Sequence, residues 1–158
     1  MTLPIRNAPP SWDDFVVGEG FRSRLGRTVT EMDNVWSTCL THNTNQLHFN
    51  DEYAAASPFG KALVNSVFTL ALITGLTVAD TSEEAIANLG WDNVRLPNPV
   101  FVGDTLHAET TIVAKRRSES RPERGIVTVE TSGVNQRGEV VISFTRTFML
   151  QAPGVDDG

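Results

Sequence analysis

The stretch that decides the fold is PFGKALVNSVFTLALITGLTVA, from Pro58 to Ala79. Its apolar residues do not alternate as in a strand, and they are too numerous for one stripe of an exposed helix. Val64, Val67, Phe68, Leu70, Ala71, Leu72, Ile73 and Leu76 are distributed around a helix axis, so residues 61 to 78 are expected to form one helix covered on most sides. Asn65, Ser66, Thr69, Thr74 and Gly75 interrupt the run, which also falls short of the ~20 apolar residues of a membrane span. The covering is therefore expected to be protein. Asn65 and Ser66 stand in the first turn, where backbone N–H groups are free and carry partial positive charge, a natural seat for an oxygen that becomes negative.

The chain of 158 residues has the size of one domain with a core of its own. A net charge of -6 argues against nucleic acid as the main partner. The single cysteine, Cys39, excludes an intrachain disulfide. The residues show no signal peptide and no transmembrane segment, so the cytoplasm is the expected compartment. Three histidines and one cysteine do not fall into ligand spacing, so no metal is expected.

Before the helix, Phe21 to Thr30 reads as a strand. Thr28 or Thr30 with Glu31 and Asp33 caps a helix that carries Val35, Trp36, Cys39 and Leu40 and ends near Thr41. THNTNQLHFNDEYAAASPFGK, Thr41 to Lys61, reads as a loop and a short helix that deliver side chains to the mouth of the buried helix. After it, Ile86 to Leu96, Asp104 to Lys115, Gly125 to Asn135 and Glu139 to Leu150 read as four strands. In the second, Thr105, His107, Glu109 and Thr111 alternate with Leu106, Ala108, Thr110 and Ile112. Pro97-Asn98-Pro99 with Gly103, Ser118 to Pro122, and Gln136-Arg137-Gly138 are the breaks. The expected class is α+β, a curled antiparallel sheet around one long central helix. The domain is placed at 12–150, with residues 1–11 and 151–158 as flexible termini.

Thr41 to Tyr53, Phe59 to Leu70, and VRLPNPVFVGDTL from Val94 to Leu106 together resemble the MaoC-like hydratases, the hot dog family that contains the (R)-specific enoyl-CoA hydratases. The resemblance implies reversible addition of water across the double bond of a 2-enoyl-CoA by a homodimer, with coenzyme A as part of the substrate and no cofactor. It places the family histidine on His48 and the family aspartate on Asn43, which cannot take up a proton. The family pair His-Gly, whose glycine N–H holds the thioester oxygen, falls on Asn65-Ser66. HNTNQLHF followed by ALVNSVFTL resembles the branch acting on short branched dicarboxylic acyl-CoAs such as mesaconyl-CoA or itaconyl-CoA.

The resemblance thus implies His48 as the sole general acid–base, Asn43 orienting the water, and the N–H at Ser66 binding the thioester oxygen. His48 and Asn43 are expected to point into one cavity, with the first turn of the helix on its wall. Asn65 is a candidate for substrate binding, and Arg95 for a substrate carboxylate or a structural ion pair. Arg116 and Arg117, in a cluster with Lys115, Arg121 and Arg124, are candidates for the phosphates of coenzyme A; their bland alternative is a solvated hairpin loop. Asn43 could equally fix a turn, and His42 and His107 read as loop and strand residues. A hot dog acyl-CoA thioesterase and a non-catalytic acyl-CoA-binding module are the competing functions.

Overall fold

The computed structural model describes residues 3–6 and 8–154. In chain order the elements are β1 (Gly20–Arg22), β2 (Arg27–Thr28), α1 (Glu31–Leu40), α2 (Asp51–Ala55), α3 (Ser66–Thr81), β3 (Ala87–Arg95), β4 (Thr105–Arg117), β5 (Arg124–Val134) and β6 (Val140–Gln151). The sheet runs β1-β4-β5-β6-β3, with β2 also on β4, and every pairing is antiparallel. The four long strands lie where alternation and turn residues predict them. In β4 one of the two alternating sets, Leu106, Ala108, Thr110 and Ile112, is buried. The expected strand 21–30 is instead two short pieces. Between them Ser23 turns its hydroxyl onto the Leu25 carbonyl and accepts from Ala108 N–H.

The helix α3 lies against the sheet at Gly133. A Cβ there would sit 2.6 Å from Ile73 Cγ1 and 2.7 Å from Ile142 Cγ2, so only glycine admits the helix this closely. The inward stripe is Thr69, Ile73, Thr77 and Asp80, all buried. Two features differ from the expected helix over 61–78 covered on most sides. First, the helix starts at Ser66 and runs to Thr81, because Leu63 and Val64 are extended: Leu63 N–H donates to Leu47 O (3.1 Å) and Val64 N–H to Val100 O (2.9 Å). Second, only one side is covered within the chain: Val67 is 60% exposed, and Ala71 and Gly75 share its open face.

The core has two centres. Phe15, Phe21, Ile112, Val127 and Phe148 pack towards the β4–β5 hairpin. Val64, Ile73, Val100, Leu106 and Phe144 pack at the other end, below the start of α3. Some described residues outside 12–150 also touch the packed body. The Arg6 guanidinium lies over the rings of Phe15 and Phe21, and Ala152 is fully buried with its N–H on Glu123 O (2.8 Å). Of the proposed flexible tail, residues 155–158 lie outside the described residues. Among the described residues, no helix is long and apolar enough to cross a membrane.

Candidate active site

The Asn-rich stretch folds through its side-chain carbonyls. At the end of α1, His42 takes φ 54° and the N–H groups of His42 and Asn43 return to Cys39 O and Thr38 O, which is the Schellman pattern with histidine in the usual glycine place. Asn43 Oδ1 then accepts from Asn45 N–H (3.0 Å), and Asn45 Oδ1 from Leu47 N–H (3.1 Å). Two successive side-chain turns bring the chain into the 3₁₀ turn Gln46–His48. Asn50 Oδ1 caps α2 through Tyr53 N–H (3.1 Å).

His48 emerges nearly buried, with Nδ1 2.7 Å from Leu63 O. A carbonyl can only accept, so Nδ1 carries the hydrogen and Nε2 keeps a lone pair. His48 lines a cavity of about 210 Å³ with Glu31, Asn34, Asp51 and Lys61. Lys61 Nζ stands 4.2 Å from the Phe101 ring centroid, and Phe101 packs edge-on against Phe59. Lys61 is thus a cation at the histidine's own cavity, a place that spacing alone did not reveal.

The start of α3 forms part of a second cavity of about 430 Å³, lined by Phe59, Leu63, Ser66, Thr69, Leu96 and Val100, among others. Asn65 is the N-cap: its Oδ1 accepts from Val67 N–H (2.9 Å) and its Nδ2 donates to Thr38 Oγ1 (3.1 Å). The backbone N–H of Asn65 donates to Asn34 Oδ1 (2.8 Å). Among the described residues, the N–H of Ser66 has no hydrogen-bond partner. The helix therefore offers that amide, at its positive end, beside the larger cavity. Leu63 links the two cavities, since it lines the larger one and its carbonyl receives His48.

The far wall of the larger cavity is the segment 96–100, and the VFVGDT motif that continues from it adds Val102 to the His48 cavity. Gly103, at φ 94°, turns the chain so that its N–H reaches Val29 O, and Asp104 Oδ2 accepts from Phe101 N–H (2.9 Å). Burial pulls the Asp104 pKa upward, but the bonds from Phe101, Gln136 and Arg137 outweigh it and hold the carboxyl below its usual value. Asn98 Nδ2 ties the proline loop to Val140 O (2.8 Å). These bonds hold the turn that follows Val100 and Val102, the two residues of the motif that line the cavities.

The expected residues are thus only partly gathered. His48 and Ser66 face neighbouring cavities. Asn43 lines neither, its Oδ1 being occupied in the turn. Asn65 is buried, with both ends of its amide engaged inside the protein, so capping and packing replace the expected substrate contact. Arg95 is exposed on β3, its Nη1 on Val94 O, beside the cavity residue Leu96. Arg116 and Arg117 lie at the opposite end of β4 from Thr105, roughly 35 Å along the strand at the usual rise per residue. Arg117 donates to Pro122 O, Ala152 O and Pro153 O, which fastens the C-terminal segment. Within one chain the basic cluster does not reach the cavities.

Sequence reasoning missed Asn34 and Thr38. They lie one turn apart on α1 and are buried, while Met32, Trp36 and Leu40 on the same helix are each more than 60% exposed. Polar residues at i and i+4 between apolar ones were the available signal.

Comparison with known proteins places these features. The MaoC like domain profile matches residues 14–135. Mesaconyl-CoA hydratase of Cereibacter sphaeroides is 36% identical over 145 residues, covering 92% of this chain and 42% of that protein. The chain spans about two fifths of the length of such curated relatives. A MaoC-domain protein of Chloroflexus aurantiacus superposes with TM-score 0.87 at 29% identity, over 97% of this chain and 43% of the other. A Mycobacterium tuberculosis protein described as a double hot dog fold superposes with TM-score 0.82 at 22% identity, over 95% and 46%, a likeness of fold. With the profile spanning most of its length, this chain belongs to the MaoC-like domain family.

Proposed function

We propose that the protein is an acyl-CoA hydratase, a hydro-lyase that adds water reversibly across the double bond of a 2-enoyl-CoA. The observation that carries the reading is the pairing of a tautomer-fixed His48, with Nε2 free to accept a proton, and an unpaired Ser66 N–H at the start of α3. The thioester carbonyl oxygen accepts from Ser66 N–H, which stabilises the enolate as charge develops. His48 Nε2 takes one proton from water as its oxygen bonds to Cβ, and the imidazolium returns that proton to Cα. The product gains one hydroxyl and one hydrogen, and His48 is restored. Asn43 contributes the turn that delivers His48, through the bond from Asn45 N–H to its Oδ1. Coenzyme A enters with the substrate, and the chemistry needs no further cofactor.

The substrate class we favour is a short branched dicarboxylic enoyl-CoA, mesaconyl-CoA or itaconyl-CoA, on the likeness to mesaconyl-CoA hydratase. Lys61 and Arg95 are the cations placed to meet its carboxylate. Mesaconyl-CoA hydratase of C. sphaeroides is more than twice as long, and the similar M. tuberculosis fold is double. We infer that a second copy of this chain supplies the other half. The β3 edge, with Ile86, Leu89 and Trp91 each over 40% exposed, and the open face of α3 are the surfaces that fit it.

The test is a panel of unsaturated acyl-CoAs followed by mass spectrometry. The proposal expects a gain of one water with the thioester intact, and loss of ~10²–10⁴-fold in kcat for His48→Ala. Release of free thiol would identify a thioesterase. A His48→Ala protein that hydrates at the parent rate would refute the assignment.

A further inference from the structure

Asn34 is 1% exposed, and its single carboxamide joins three segments distant in sequence. Nδ2 donates to His48 O (2.8 Å) and to Leu63 O (3.1 Å), while Oδ1 accepts from Asn65 N–H (2.8 Å). The partners fix the orientation of the amide, since two carbonyls demand the nitrogen and an N–H demands the oxygen. A flipped amide would set oxygen against both carbonyls.

Two of these bonds bear on groups that the hydratase reading uses. Leu63 O is the acceptor that also holds His48 Nδ1–H, so Asn34 and His48 converge on one carbonyl from two sides. Asn34 further holds the backbone carbonyl of His48 itself, which fixes where the ring begins. At the helix start, Asn34 occupies the N–H of Asn65 and the Asn65 side chain occupies that of Val67. The amide between them, Ser66 N–H, is left for a ligand. The Asn34 carboxamide thus spends its polar atoms on the chain itself, at both groups that the hydratase reading uses.

We propose that Asn34 is a positioning residue for catalysis: one buried carboxamide that fixes the His48 tautomer through Leu63 O and aligns the start of α3 so that Ser66 N–H faces the cavity. The proposal rests on the hydratase reading above. Because Asn34 does not line the larger cavity, its loss acts on the chemical step more than on acyl binding. Misplacement on the 1 Å scale costs on the order of 10²-fold in rate.

The experiment has two arms. The first reads the histidine ring nitrogens of the intact protein by ¹⁵N NMR above the pH of imidazole protonation, with the His48 signals identified by their disappearance in His48→Gln. The expected state is His48 with hydrogen on Nδ1. In Asn34→Asp, which keeps an acceptor for Asn65 N–H but turns oxygen towards two carbonyls, a mixture of tautomers is expected. The second arm measures kcat and KM for Asn34→Asp and Asn34→Ala beside Val127→Ala, a destabilised control in the other core cluster. A fall of ~10²-fold in kcat with KM within about threefold, absent from the control, supports the proposal. Wild-type His48 with hydrogen on Nε2 overturns it even if neither Asn34 variant folds. So does wild-type kcat in folded Asn34 variants whose only change is a lower Tm. A wild-type protein that hydrates no enoyl-CoA sinks the hydratase reading instead, and the NMR arm still decides whether Asn34 fixes the ring.

Discussion

Ser66→Pro removes one hydrogen-bond donor from the start of α3 and nothing else that the fold uses. Ser66 is the first helical residue, the position where proline is tolerated because its missing N–H has no intrahelical partner. The preceding residue must then avoid the helical region, and Asn65 already has φ -58° and ψ 125°. The capping bond from Val67 N–H to Asn65 Oδ1 and the first helical bond from Thr69 N–H to Asn65 O do not involve the Ser66 nitrogen. Stability should therefore hold or rise by up to ~1 kcal/mol, through lower entropy of the unfolded chain. Turnover should fall by ~10²–10³-fold in kcat, equivalent to about 3–4 kcal/mol of transition-state stabilisation, the usual cost of losing one donor to a developing oxyanion. Ser66→Ala keeps the N–H and should stay within about threefold of the parent. The assay follows loss of the enoyl-thioester absorbance, with thermal melts on the same samples. Wild-type kcat in a folded Ser66→Pro protein would refute the reasoning. Equal damage from Ser66→Ala would move the role from the amide to the hydroxyl.

Gly133→Ala should cost ~1–3 kcal/mol, read as a shift in urea midpoint, because the new Cβ meets Ile73 Cγ1 and Ile142 Cγ2 inside contact distance. Adding Ile73→Ala should return part of the loss; strict additivity of the two changes would show that α3 does not sit on Gly133. Asp104 has a lower pKa folded than unfolded, so its stabilisation is fully present above the unfolded value near 3.8 and is lost as pH falls through the folded value. The stability gap between the parent and Asp104→Asn should accordingly be widest at neutral pH and narrow on acidification. A gap that is constant from pH 7 to pH 3 would exclude a role for the charge.

What the sequence revealed follows from where each signal is local. Alternation along 105–112 records which side chains face a core, so the strands were legible. The cap of α1 was legible too, as Thr30 and Asp33 form a reciprocal box. The start of α3 was not, because Leu63 and Val64 continue its apolar run while belonging to an extended segment that bridges to Phe101. Asn65 reads the same in sequence whether it caps a helix or meets a ligand; only the position of Thr38 separates the two. The basic cluster looked available to an anion because charge is visible in sequence. Its distance from the cavities depends on which end of β4 carries Arg116, and that is a property of topology. Asn34 escaped notice because a lone asparagine between Asp33 and Val35 has no periodic partner except Thr38.

The order of strands in the sheet bears on how the chain is made. β6, the last strand in sequence, lies between β5 and β3, so β3 has no long-strand neighbour until β6 has emerged. The apolar helix α3 is complete at Thr81, about seventy residues before β6 ends at Gln151. At the usual ~5–20 residues per second of synthesis, that helix waits roughly 4–14 s for its cover. A growing chain should therefore depend on whatever shields apolar segments near the ribosome, and synonymous changes that slow translation between codons 82 and 151 should lower its soluble yield without altering a single residue.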